Sequence, residues 1–325
     1  MTDRKPPSGD SPYRGPPSGK PRDKRERERD RQTRGPVAPD APARRPPSAG
    51  AQGRRPPSAR DIARDEADAE LLRGSAAGPR PPREQRIHGL NACLALFAKR
   101  PGDLRKVWLL ESRIPALKAV LAHCVQQRLG YTVVEDEDLR KLSGSEHHEG
   151  VVFGAVPAPE QNLSDWLRTL PPGPQLAIWL DGVGNPHNLG AILRSSAHFG
   201  AAGLLLPKDS SLALSGAAAR VAEGGAEQVP LVRLGRSDNS LAQLASAGFQ
   251  AVATVVRGGQ SLYASALPGR LLLVMGAEQT GLDPALAAAA KLRLGIPGSG
   301  AVESLNVAAA TAVFLGEWWR QHRVG

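Results

Sequence analysis

Three stretches of the sequence set polar side chains beside glycines at the ends of apolar runs, where a folded chain can hold a ligand. In Ile296–Val307, IPGSGAVESLNV, Pro297 stops a preceding strand, and Gly298, Ser299 and Gly300 give a loop able to expose bare backbone. A helical pattern begins at Glu303, with Ser304 at the expected N-cap and Asn306 in the first turn. The free N–H groups of such a helix start suit polar or anionic ligand atoms. In Asp181–Ser195, DGVGNPHNLGAILRS, Pro186 argues against a regular helix start and Asn188 is placed to cap the helix beyond it. Gly190 there permits close packing, and Arg194 follows Asn188 by six residues. In Gly276–Gly281, GAEQTG, Gly276 lets backbone approach a flat ring, and Glu278 sets a carboxylate at the end of the apolar run LLLVM.

These groups meet only if a scaffold brings three distant turns to one edge. From Leu176 the apolar pattern alternates short strands with helices. Strands are expected at 176–180, 203–206, 229–232, 251–255, 271–275 and 292–296, and helices at 189–199, 213–222, 241–247 and from 303 onward. That order predicts an α/β fold with a mostly parallel sheet covered on both faces, whose carboxyl edge is the place for a ligand. A nucleotide-binding Rossmann start, and with it a nucleotide-dependent oxidoreductase, is the competing reading and is disfavoured by glycine spacing, since GVGNPHNLG does not give GxGxxG.

Taken in order, the three stretches match known signatures: NxGxxxR at Asn188, Gly190 and Arg194, GxExxG at Gly276, Glu278 and Gly281, and IPxxGxxxSLNV at Ile296 to Val307. From Leu176 to about Trp319 the chain resembles the SpoU/TrmH branch of the SPOUT RNA methyltransferases. The resemblance implies a C-terminal trefoil knot wrapped round S-adenosylmethionine, with Thr254, Gly276, Ile296, Leu305 and Asn306 binding the cofactor. It implies a homodimer in which Arg194 of one subunit completes the site of the other, and methyl transfer to a ribose 2′-hydroxyl in structured RNA (rRNA or tRNA). Arg194, Asn188, Glu278, Ser304 and Asn306 are the catalytic candidates. Arginine is a poor proton acceptor near neutral pH, so Arg194 is expected to grip a phosphate and steady the developing alkoxide. The proton would pass to water, a phosphate oxygen or Glu278. Ala308 and Gly298 depart from the family's usual residues without removing a chemical group. A non-catalytic RNA-binding protein of the same fold is the rival reading, and the intact polar set argues against it.

Composition bounds the rest. The chain has 325 residues with 41% apolar residues and a formal charge of +10, which points to an anionic partner. Most of that charge, +7, lies in residues 1–84. This segment repeats a Pro-Pro-Ser unit at Lys5, Gly15, Arg45 and Arg55 and reads as a disordered basic arm. GPPSGK at Gly15 is one residue short of a phosphate loop and has no preceding strand. Residues 85–157 read as a small α/β domain similar to the L30e-like RNA substrate-binding domain, with IHGLNA at Ile87 in its opening position. Residues 158–175 follow as a linker and 176–325 as the catalytic domain. His147, His148 and Glu149 are adjacent and alternate faces, so no metal site is expected there. Two cysteines and the lack of a long apolar run suit a cytoplasmic protein without a membrane span. Trp318 and Trp319 fit either the dimer contact or the core.

Deleting residues 1–84 is expected to leave fold and cofactor binding intact. If the arm touches phosphates, RNA affinity falls and its salt dependence becomes shallower. An unchanged salt slope in a filter-binding titration assigns the arm to solubility instead.

Overall fold

The computed structural model describes residues 84–276 and 281–322, with only the backbone of 237, 238, 284 and 285. The basic arm and Glu278 lie outside the described residues. The chain forms two sheets. The first contains β1 (Gln85–His88), β2 (Leu104–Leu109), β3 (Gly130–Val133) and β4 (Val151–Ala155), in the order β1-β4-β2-β3. Only β2 and β3 run parallel, and the apolar β4 lies antiparallel to both of its neighbours. The expected βαβ alternation of this segment is therefore only partly realised. Helices α1 (Leu90–Lys99) and α2 (Lys118–Gln127) cover one face, burying Leu96, Val120, Val107, Leu109, Val151 and Phe153 in one core. On the other face α3 (Asp136–Ser143) rests on β1 and β4 and buries Leu139.

The second sheet has eight strands. In chain order they are β5 (Gln161–Asn162), β6 (Gln175–Leu180), β7 (Gly203–Leu206), β8 (Leu231–Arg233), β9 (Gln250–Thr254), β10 (Gln260–Ser261), β11 (Arg270–Met275) and β12 (Leu292–Gly295). Their spatial order is β10-β12-β9-β11-β6-β7-β8-β5, with every pairing parallel. Side chains alternate between two cores as the strand period of two requires. Leu176, Ile178 and Leu180 of β6 join Leu271, Leu273 and Met275 of β11 beneath α5 (Pro186–His198), α6 (Gly216–Val221) and α9 (Val307–His322). Ala177, Trp179, Leu272 and Val274 face the opposite layer of α4 (Leu163–Thr169), α7 (Ser237–Ser246) and α8 (Pro284–Ala289). The expected parallel sheet covered on both faces is what forms. The stretch read as a linker is partly built into it. Gln161–Asn162 pairs with β8, and Leu163 and Trp166 are buried, because their apolar area is worth more in the core than in a tether.

Two helix starts differ from expectation. Pro186 is the first residue of α5, where its missing N–H costs nothing, and Asn185 caps it by accepting from the His187 N–H at 2.8 Å. Asn188 sits inside the helix. Likewise α9 begins at Val307 rather than near Glu303. Asn306, not Ser304, caps it by accepting from the Ala308 N–H at 2.9 Å. Trp318 is fully buried and donates to the Pro268 carbonyl at 3.1 Å, whereas Trp319 is 36% exposed. Among the described residues no helix is long and apolar enough to cross a membrane.

The two sheets are joined by a polar seam. Arg100 at the end of α1 holds Glu227 with two hydrogen bonds of 2.8 and 2.9 Å, and Asn91 donates to Glu223 at 2.7 Å. His88 is buried in this seam, and burial, with Arg220 next, lowers its pKa below the ordinary histidine value. His148 accepts from the Gly150 N–H and Glu149 from the Leu90 N–H, so both have structural duties. The Arg100 and Glu227 side chains are only 13% and 7% exposed. Arg100→Ala therefore leaves a buried carboxylate without its partner and should cost about 3–5 kcal/mol in urea unfolding. The double variant Arg100→Met, Glu227→Leu should recover much of that loss; equal instability of the two would show that packing, not charge, holds the seam.

Candidate active site

The neighbouring strands β12, β9 and β11 end at Gly295, Thr254 and Met275, and the residues that follow them open a cavity of about 820 Å³. The site thus lies at the carboxyl edge of a parallel sheet, where strand ends diverge into loops. Met275, Leu282, Ile296, Val307, Ala310 and Phe314 supply an apolar floor. Thr254, Gly276, Ile296, Ser304 and Leu305, all anticipated from the sequence, line it. The Thr254 hydroxyl is tied to the Val274 carbonyl at 3.0 Å, which fixes the end of β9 against β11.

Gly276 is required by close approach. A Cβ there would stand 2.6 Å from the Gly281 carbonyl carbon and 2.9 Å from the Leu282 nitrogen, both backbone atoms that cannot swing away. The constraint is thus chain against chain, in addition to any ligand. The Asp181 carboxylate accepts from the Asp283 N–H at 2.7 Å and holds the segment beyond Gly281 against the end of β6. Gly298 and Gly300 have no atom within 4 Å of a built Cβ, so their loop borders open space.

Asn306 joins two of the three stretches. Its neighbours Leu305 and Val307 line the cavity, and its Nδ2 donates to the Asn188 Oδ1 at 3.1 Å. Arg194 lies elsewhere. It is exposed, does not line this cavity, and makes no ion pair among the described residues. Six residues on a helix are about 240° of rotation and about 9 Å of rise, so Arg194 leaves α5 in a different direction from Asn188. The Arg194 Cα is packed where a Cβ on Gly225 would come within 3.0 Å, and Gly190 meets the Ala218 carbonyl in the same way. Glycines thus hold α5 close to α6 and its following turn.

The mouth also carries groups not anticipated from the sequence. Arg257, in the turn after β9, pairs with Glu303 at 3.1 Å. Both side chains are largely exposed, so the pair adds little stability, but it sets opposite charges at the cavity rim. Glu303 lies inside the third signature, and Arg257 follows a predicted strand end; neither spacing marks them. A flat apolar floor, bare backbone and a rim with both charges fit a ligand with an aromatic base at one end and a zwitterion at the other. S-adenosylmethionine has that form.

Residues 175–316 match the SpoU rRNA Methylase family, and residues 86–161 match the RNA 2′-O ribose methyltransferase substrate binding family. A relative named "Uncharacterized tRNA/rRNA methyltransferase YfiF" from Escherichia coli O157:H7 is 39% identical over 257 residues, covering 79% of this chain and 72% of its own. The 23S rRNA (guanosine-2′-O-)-methyltransferase RlmB of Escherichia coli K12 is 35% identical over 239 residues, covering 72% of this chain and 98% of its own. Among solved structures, the AdoMet-bound rRNA methyltransferase from Sinorhizobium meliloti is similar with a TM-score of 0.62 at 26% identity, over 73% of this chain and 87% of its own. By the family match over residues 175–316 and by these relatives, the chain belongs to the SpoU rRNA methylase family.

Proposed function

We propose that this chain transfers the methyl group of S-adenosylmethionine to a ribose 2′-hydroxyl of structured ribosomal RNA. The observation that supports the reading is the Asn188–Asn306 contact, which joins polar residues of two signatures next to Leu305 and Val307 of a cofactor-sized cavity. The ribosomal target is supported by relatives named 23S rRNA (guanosine-2′-O-)-methyltransferase, which align over 98% of their length. Transfer RNA is the second reading, because the 39% identical relative is named for both RNAs.

The bound cofactor supplies an electrophilic methyl group on a sulfonium. Leu305, Ile296 and the Gly276 backbone would hold the adenosine end, and the Arg257–Glu303 rim would meet the charged end. Ser304 and Asn306 orient the ribose hydroxyl, with Asn188 fixing the Asn306 amide. As the ribose oxygen bonds to the methyl carbon, the carbon–sulfur bond would break to leave S-adenosylhomocysteine, and the hydroxyl proton would pass to water, a phosphate oxygen or Glu278. Arg194 grips a neighbouring phosphate and stabilises the oxygen's growing negative charge.

Arg194 does so across a homodimer, serving the cavity of the other subunit. Its exposure and its absence from the cavity of its own chain support that division. The trefoil knot belongs to the same reading.

S-adenosylhomocysteine should raise the melting temperature, since it binds only the native state. Leu305→Arg, at a position already 46% exposed, should keep the unliganded melting temperature and lose that shift. Stabilisation by NAD in place of S-adenosylhomocysteine would overturn the cofactor assignment.

Arg194→Lys keeps the charge without the planar fork and should lose about 10²-fold in single-turnover methyl transfer to ribosomal RNA, with S-adenosylhomocysteine binding unchanged. Mixing Arg194→Ala with Leu305→Arg subunits should restore one working site per heterodimer. No rescue in heterodimers shown to form would return Arg194 to a structural role.

A further inference from the structure

The four-stranded sheet turns one face to α1 and α2 and the other to α3, but α3 reaches only β1 and β4. On the remaining part of that face stands Trp108 of β2, half-buried, with no apolar core around it. The next row of the sheet aligns Arg86, Gly154, Lys106 and Gly130. Two of those four positions lack side chains, so no side chain of this row itself stands between the two cations. A Cβ on Gly154 would come within 3.3 Å of the benzo ring of Trp108, so the glycine lets the indole lie against the sheet. The Lys106 Nζ stands 5.0 Å and the Arg86 Cζ 5.9 Å from the indole centroid. Arg86 is held there by donating to the Leu142 carbonyl at the end of α3, at 3.0 Å, whereas Lys106 has no hydrogen bond or ion pair among the described residues. The Glu84 Oε2 would stand 3.6 Å from the same built Cβ, so one carboxylate shares the patch with the two cations.

We propose that this patch is a stacking site for an unpaired RNA nucleotide, with its base on the Trp108 indole and its phosphates on Lys106 and Arg86. The inference rests on the RNA substrate of the proposed function and names where outside the catalytic sheet that substrate is held. An aromatic ring flanked by two cations matches the two parts of a nucleotide, a π-face and an anion. An acidic peptide would use the cations but leave the indole without a partner. A base replacing the two cations over the ring frees them for phosphates, so neither group loses its interaction. Unpaired bases are also the part of a folded RNA most open to sequence-independent stacking.

The test is binding of the full chain to ribosomal RNA and to an oligoadenylate of about ten nucleotides, the length of one single-strand site. Trp108→Ala and Trp108→Leu should each weaken oligoadenylate binding about 5- to 150-fold, whereas Trp108→Phe retains most of it. Arg86→Gln and Lys106→Gln should each lower the salt slope by about 0.7. In the unsubstituted chain, oligoadenylate should quench part of the tryptophan fluorescence, and Trp108→Phe should remove that quenching. This last readout holds even if the alanine variant fails to fold. S-adenosylhomocysteine stabilisation should be the same in all variants. If the unsubstituted chain methylates ribosomal RNA while Trp108→Leu binds both RNAs as tightly as it does, the stacking site is overturned alone. If the unsubstituted chain neither binds nor methylates RNA, the proposed function falls with it.

Discussion

The Asn306 side chain uses both of its ends. Its oxygen accepts the Ala308 N–H and so fixes where α9 begins, and its amide donates to Asn188 on α5. A helix start is otherwise free to shift by a residue or two, because its first N–H groups can bond water equally well. Here a shift would break the bridge to α5 and move Leu305 and Val307, the two residues that flank Asn306 and line the cavity. The position of the cavity wall therefore depends on one amide with two obligations. Aspartate would keep the cap but set a negative charge against the Asn188 oxygen, and serine would keep the cap but lack the reach.

The sheet below makes that wall worth fixing. Three adjacent strands, β12, β9 and β11, stop at nearly the same level, and the apolar layer beneath α9 continues into the cavity floor through Val307 and Phe314. One continuous core thus serves folding and ligand binding. Gly276 shows the cost of closing the site this tightly. The backbone of Gly281 and Leu282 fills the space where any side chain would go, so sequence freedom is given up for close passage of the chain.

Much of this was legible in the residues. The alternation of strands and helices from residue 176 sufficed for the parallel sheet, because a strand buried on both faces is apolar throughout. Thr254, Gly276, Ile296, Ser304 and Leu305 line one cavity. The helix starts were less legible, since Asn185 and Asn188, or Ser304 and Asn306, are all competent caps and only tertiary contacts choose between them. Pro186 misleads in the same way: it blocks a helix interior but is well suited to a first turn. Charge pairs between remote segments were not legible. Nothing in the spacing ties Arg100 to Glu227 or Arg257 to Glu303, because a charged residue in a sequence carries no mark of its partner.

The Arg100–Glu227 seam bears on how the enzyme selects RNA. A cavity shaped for the methyl donor and one ribose hydroxyl can recognise little beyond that hydroxyl, which every RNA nucleotide possesses. Selection then has to come from contacts made elsewhere on the substrate and from the distance between those contacts and the cavity. A flexible connection would let the small sheet present RNA over a range of distances and lose that discrimination. Two buried charged hydrogen bonds between Arg100 and Glu227, with Asn91 held by Glu223, give the two sheets a defined relation instead. The span between the small sheet and the cavity can then serve as a ruler, and a rigid, folded RNA fits a ruler better than a flexible strand does.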